Sequence, residues 1–211
     1  MLQGSDEWHT MRHGKLTGSH ATAIGNNGKG LKTYVDDIIK DLHSDSVFIT
    51  NKDTERGHEL EPIARIKYEF ETGYTVDEVG FIEHTEHCGV SPDGLIRGIK
   101  KGLEIKARNH KKHMALLRYG KVESGTIWQM QMCMLVSGYD TWDFVSYNKD
   151  FKQSIYLKTF ERDEVKIEKL KAGIEAGTVM IKEALSDPIV QSEIEWYNKK
   201  KLDGTRTTDN N

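Results

Sequence analysis

The chain has 211 residues, enough for one domain with a sizeable core and scarcely enough for two. Apolar residues make up 36 % and charged residues 30 %, and no apolar run approaches the roughly 20 residues that span a bilayer, so a soluble globular protein is expected and a membrane role is excluded. The formal net charge of −3 argues against nucleic-acid binding by bulk charge, while two cysteines, Cys88 and Cys133, and no signal-peptide pattern in residues 1–7 point to the cytoplasm of a bacterial or phage-infected cell.

In chain order, Ser5 can cap a short helix over residues 5–13, ended by Gly14. The glycine-rich run 25–30 lacks the Gly-Lys-Ser/Thr ending of a phosphate loop and reads as a plain loop. A second helix is expected over 33–42, with Tyr34, Ile38 and Leu42 at helical spacing. A third covers 59–72, stopped by Gly73 and either started or kinked by Pro62. From Val76 the period becomes strand-like. One strand is expected through Val79, Phe81 and Ile82, a second over 90–96 and a third over 103–106. Residues 123–137 return to a helix apolar on nearly every side, hence buried, with Met130, Met132 and Met134 in the core. Strands at 141–147 and 154–160 precede a long helix that Asp163 caps and that reaches about Leu185. Pro188 sets off a short last helix, and residues 199–211 read as a disordered tail behind a single domain over 1–198. The order predicts an α/β fold, a central mixed sheet flanked by helices.

Chemistry concentrates at Ser91-Pro92-Asp93-Gly94 and Gly102-Leu103-Glu104-Ile105-Lys106. Alternate residues of a strand share a face, so Glu104 and Lys106 point one way while Leu103 and Ile105 point the other. A hairpin centred between Gly98 and Ile99 sets Asp93 directly opposite Glu104. Two carboxylates so placed repel unless a cation lies between them, and all-oxygen ligation suits Mg²⁺ or Mn²⁺. Lys106 then either assists an attacking water or stabilises the oxygens of a five-coordinate phosphorus. Alone, Ser-Pro-Asp-Gly is also an ordinary turn and Glu-x-Lys an ordinary solvated strand face. The stretch 100–121 carries Lys100, Lys101, Lys106, Arg108, Lys111, Lys112, Arg118 and Lys121 and is either a solvated loop or a phosphate-binding edge. His84-x-x-His87-Cys88 and His110-x-x-His113 lack the paired cysteines of a structural zinc site and read as surface turn histidines.

Five blocks in order carry a resemblance: Glu7-Trp8-His9 with Arg12, Gly14 and Thr17-Gly18-Ser19; Arg56-Gly57-His58-Glu59-Leu60-Glu61; Ser91-Pro92-Asp93-Gly94; Leu103-Glu104-Ile105-Lys106; and Trp128-Gln129-Met130-Gln131. The pattern resembles the lambda-exonuclease and YqaJ-like viral recombinase family of the PD-(D/E)xK nuclease superfamily. The resemblance implies a restriction-endonuclease-like core and a Mg²⁺-dependent 5′→3′ exonuclease on double-stranded DNA, with two ions per site and Mn²⁺ able to substitute. Asp93, Glu104 and the carbonyl of Ile105 would ligate one ion, and Glu61 the second ion or its water. Lys106 would assist the attacking water and Gln129 would line the site. Arg12, Ser19 and Ser91 would bind a terminal 5′-phosphate, and Lys112 another phosphate; an Arg12 merely paired with a nearby carboxylate is the alternative. A homotrimer acting at duplex ends, supplying 3′-overhangs to a single-strand annealing protein, would follow. An endonuclease of the same superfamily and a non-catalytic end-binding module are the other functions considered. Thr126 stands where the family often has Tyr, and Ala107-Arg108 where a proline commonly follows the lysine.

Overall fold

The computed structural model describes residues 3–43 and 52–208. The chain opens with α1 (Asp6–Arg12), whose first turn is capped by the Ser5 hydroxyl accepting from the Trp8 amide at 3.2 Å. Next come β1 (Leu16–Thr17), a 3-10 turn at Gly18–His20, α2 (Ala21–Asn26) and α3 (Lys29–Leu42). The glycine-rich run is therefore not a loop. It is a tight junction in which Asn27 takes the left-handed region (φ 46°) to end α2 and Gly28 precedes α3. Gly25 is inside α2 because a methyl group there would meet the Trp128 ring at 2.4 Å.

Helix α4 (Lys52–Thr72) begins earlier than its apolar spacing suggests and runs through Pro62, which costs one main-chain hydrogen bond. Gly73 (φ 72°) ends it as expected. Then follow β2 (Val76–Asp77), β3 (Ile82–Thr85), β4 (Cys88–Val90), β5 (Gly94–Ile96) and β6 (Lys101–Ala107). Val79 and Phe81 lie outside the strands, and the single strand expected over 90–96 is two strands in different sheets. The break falls at Ser91-Pro92-Asp93, where Pro92 has no N–H to give a ladder. A helix, α5 (His110–Tyr119), occupies the basic stretch read as loop or edge, with the Asn109 side chain capping the Lys112 amide at 2.9 Å.

The buried helix is α6 (Ser124–Ser137), followed by β7 (Thr141–Tyr147), β8 (Ile155–Glu161), α7 (Glu164–Ser186) with Asp163 as its cap, and α8 (Pro188–Thr208). The last helix is long, not short, and its backbone is helical to Thr208 within the expected tail; its Lys-rich sequence, interrupted only by Gly204, contains no strong helix breaker, and residues 209–211 lie outside the described ones.

Five strands form a mixed sheet in the order β2-β5-β6-β7-β8, parallel only between β6 and β7. A separate three-stranded sheet, β1-β4-β3, was not expected from the sequence. On one face of the large sheet Ala64 and Tyr68 of α4 pack with Leu103, Ile105 and Val145. On the other, Trp142 and Phe144 join α2, α3, α6 and α7, including Met130, Met132 and Met134 in the core. Asp143, a charge in mid-strand, is buried and held by Lys101 Nζ at 3.1 Å, the Tyr68 hydroxyl at 2.7 Å and the Thr159 hydroxyl at 2.5 Å. Among the described residues no helix is long and apolar enough to cross a membrane.

Candidate active site

Strands β5 and β6 pair with Gly94 opposite Leu103 and Leu95 opposite Gly102. One step further along that register sets Asp93 opposite Glu104, the hairpin expected from the sequence, and Gly98 (φ 82°) supplies its turn. The Asp93 carboxylate is pinned to the neighbouring strand, where Oδ2 accepts from the Ile105 amide at 2.6 Å. Asp93 thus ends the link between two sheets and also presents a side chain to the site.

Glu104 is 0 % exposed, because its strand face is covered by α6 rather than by solvent. Its oxygens have no aligned hydrogen-bond donor, and its charge partner is Lys106 Nζ, 2.5 Å from Oε1. Burial pushes the Glu104 carboxyl well above the usual carboxylate range; Lys106 pulls it back only in part, and Asp93 adds to the rise. Burial lowers Lys106, but Glu104 and Asp93 outweigh it and hold the ammonium above its ordinary value. Glu61, on α4, is pushed up to about 7, first by burial and then by Asp93, against the pull of Arg65 and Lys106. Three carboxylates therefore share one electrostatic neighbourhood in which they disfavour one another's ionisation.

Among the described residues no three His, Cys, Asp or Glu side chains stand close enough together to hold a metal ion between them. The donor chemistry nevertheless fits a hard cation: opposed carboxylates, an adjacent main-chain carbonyl at Ile105, and buried Glu104 oxygens whose close cation, Lys106, is not aligned as a hydrogen-bond donor. Beside them opens a cleft of about 300 Å³, lined by Glu61, Asp93, Ile105, Lys106, Arg108 and Lys112 with Gln3, Gly57, Ala107 and Asn109.

A second cluster adjoins the first through Ser91. Its hydroxyl accepts from Arg12 at 3.1 Å and from the Trp8 indole at 2.9 Å, and the Arg12 guanidinium lies 4.2 Å from the Trp8 ring centre. Among the described residues no carboxylate pairs with Arg12, contrary to the alternative of a plain ion pair; burial depresses its pKa. Ser19 bonds Thr17 at 3.1 Å and the His20 ring at 3.3 Å, and His20 stacks on Tyr34 at 3.8 Å. Desolvation and then the charge of Arg12 lower His20, so Arg12, Ser19 and Ser91 belong to one polar cluster, with Ser19 joined to it through its neighbours. Trp8, His20 and Tyr34 complete that cluster, and of these only Trp8 carried a sequence signal.

The basic stretch does not act as one edge. Lys101 turns to Asp143 and Lys106 to Glu104, while Arg108 and Lys112 share Glu123 at 2.5 and 3.3 Å. Arg108 also reaches the Thr126 hydroxyl at 3.5 Å, so the two departures from the family pattern touch each other. Gln129 does not line the cleft. It packs beside Gly18 and Val90, between the neighbours of Ser19 and Ser91. His113 corrects another expectation, for it is buried at 0 % exposure, with Nε2 donating to the Gln153 carbonyl at 2.9 Å and Nδ1 bonded to Ser146 at 2.8 Å. The side chains of Arg56 and His58 lie outside the described ones.

The chain matches the YqaJ-like viral recombinase domain over residues 7–140. It belongs to that family. Among solved structures it is similar to the alkaline exonuclease LHK-Exo from Laribacter hongkongensis, at 30 % identity and a TM-score of 0.76, covering 94 % of this chain and 99 % of that one. LHK-Exo in complex with dAMP matches at 31 % identity with TM-score 0.77 over the same shares. A phage-related exonuclease from Haemophilus somnus 129PT shares the fold, at 18 % identity and TM-score 0.64, over 84 % of this chain and 98 % of that one. No curated protein matches significantly.

Proposed function

We propose that the protein is a Mg²⁺-dependent exonuclease that degrades double-stranded DNA from 5′ ends, with Mn²⁺ able to substitute. The observation that carries this reading is the opposition of Asp93 and Glu104 across β5 and β6, with Lys106 against Glu104, on a cleft. The family, and the similarity to an exonuclease solved with a deoxynucleoside monophosphate, favour DNA as the substrate.

Asp93, Glu104 and the Ile105 carbonyl would hold one ion and Glu61 a second. When bound, the ions supply positive charge that offsets the charge building on the phosphodiester oxygens. Lys106 adds an ammonium donor to the same oxygens or to the attacking water. Arg12, Ser19 and Ser91 bind the terminal phosphate, Lys112 contacts a further one, and Gln129 supports the wall between them. Water adds to the phosphorus and the bond to O3′ breaks, so the terminal nucleotide leaves with its own 5′-phosphate and a 3′-hydroxyl. The shortened strand keeps the attacked phosphate as its new 5′ end. Each turnover thus regenerates the group that the Arg12 cluster recognises. In this reading a homotrimer works at duplex ends and leaves 3′-overhangs for a single-strand annealing protein.

A linear duplex labelled separately at each 5′ and 3′ end, with and without Mg²⁺, tests the reading. Loss of 5′ label first, only with Mg²⁺ and faster from 5′-phosphorylated than 5′-hydroxyl ends, is expected; Arg12→Ala should erase that preference while cleavage persists. Cutting of a closed circular duplex would favour an endonuclease, and Mg²⁺-dependent binding without hydrolysis an end-binding module.

A further inference from the structure

Glu61 and Asp93 come from separate segments, α4 and the link between β4 and β5, yet bring two carboxylates to the lining of one cleft. Separate segments that repel need a tie. Arg65, one helical turn beyond Glu61 and 8 % exposed, makes the contacts of one. Its Nη2 donates to Glu61 Oε1 at 2.8 Å and to the main-chain carbonyl of Asp93 at 3.3 Å, while Nη1 meets Glu78 Oε1 at 2.5 Å. Pairs four residues apart on a helix are common and usually solvated. This one is buried, and two of its three partners lie outside α4. Ala64 and Tyr68, both 0 % exposed, pack with Leu103 and Ile105 of β6 and fix the helix there, so most of the Arg65 side chain is withdrawn from solvent while Nη1 reaches the exposed Glu78.

We propose that Arg65 is a positioning residue, clamping the Glu61 side chain and the Asp93 main chain together so that both carboxylates face one divalent-cation site. The proposal rests on the nuclease reading for what those carboxylates do, and it concerns a residue that touches neither DNA nor the reacting atoms. A planar guanidinium presents several N–H donors in fixed directions, which a lysine ammonium at the end of a flexible stem cannot reproduce. Retaining the charge is therefore insufficient; the fork is required.

Mn²⁺ binding, measured without DNA by the electron paramagnetic resonance of the free ion, is the direct test, alongside duplex degradation by the same preparations. Arg65→Gln and Arg65→Lys should both weaken Mn²⁺ binding by about tenfold, the scale of lost outer contacts at metal sites. Turnover should fall with KM for duplex ends unchanged, because no DNA contact is removed. Should Arg65→Gln fail to fold, Arg65→Lys decides alone. Unmutated Mn²⁺ affinity in a folded Arg65→Lys variant would overturn the inference, as would an unmutated chain that takes up no Mn²⁺ at all. An unmutated chain that binds Mn²⁺ but leaves duplex ends intact would sink the nuclease reading instead, and the affinity ratio would still decide the role of Arg65.

Discussion

Lys106 is the one cation within 4.0 Å of the buried Glu104 carboxylate among the described residues. It has two tasks that pull apart. In the resting protein it compensates a charge that burial disfavours; in the proposed hydrolysis it would be wanted at the phosphate. A divalent cation between Asp93 and Glu104 would release it from the first task. Lys106→Ala should therefore lower turnover by about 10²–10³-fold, the usual cost of one electrostatic donor to a transition state. Duplex binding in Ca²⁺, measured by fluorescence anisotropy, should stay within a few-fold of the unmutated protein. If affinity collapses while turnover at saturation is unchanged, Lys106 is a phosphate anchor and has no part in the chemistry.

At the scale of elements, the β5–β6 pair is what makes the site, and its register depends on a close approach further down the strand. Gly102 lies opposite Trp142 across β6 and β7, and a methyl group at Gly102 would meet the indole carbons at 2.3 Å. Gly102→Ala should destabilise the fold by about 1–3 kcal/mol through overpacking, read by urea denaturation. It should also slow turnover beyond that loss, because Glu104 sits two residues along the displaced strand. A variant as stable and active as the unmutated chain would show that the sheet yields without moving the site. This pairing is legible in the sequence: the Glu-x-Lys alternation, Gly98 and Gly102 leave few registers open. The sheet switch at Pro92 is not, since Ser-Pro-Asp-Gly can mark a break in the run from Val90 to Ile96 without saying which sheet each side joins, and partner choice is a tertiary matter. Helix α5 hides for another reason. Its buried positions are His113 and Leu116, and a histidine does not register as apolar periodicity. Arg65 looks in sequence like any surface partner of Glu61, because burial, which separates a clamp from a solvated pair, is set by α4 packing on β6.

For the whole molecule, the carboxylate cluster makes stability depend on pH in an uncommon direction. Glu61 and Glu104 have folded-state pKa values raised above those of an unfolded chain, so the folded protein binds protons more readily than the unfolded one. Their contribution is fully present below about pH 4.5 and is lost as pH rises through about 7, the value for Glu61. Asp77, Asp163 and Glu123 are lowered by their cationic partners and lose their contribution only at more acid pH, outside that window, while His20, lowered by burial and then by Arg12, opposes the trend inside it as one group against two. In chelator, stability to urea should fall between pH 5.5 and pH 8, and Mg²⁺ should remove most of the slope; a slope equal with and without Mg²⁺ would separate the cluster from the ion. The link Ser91-Pro92-Asp93 has a consequence of its own. It ties the hydroxyl that holds Arg12 to the carboxylate beside Glu104 across two residue steps, at most about 7 Å of extended chain. Pro92 stiffens that span, so under the proposed function it would work as a ruler: an end seated against Arg12 would leave a single sugar–phosphate unit between itself and the carboxylates. The fragments released should be uniform in length, one nucleotide each at every stage of digestion, and chromatography of the early products should find no dinucleotides.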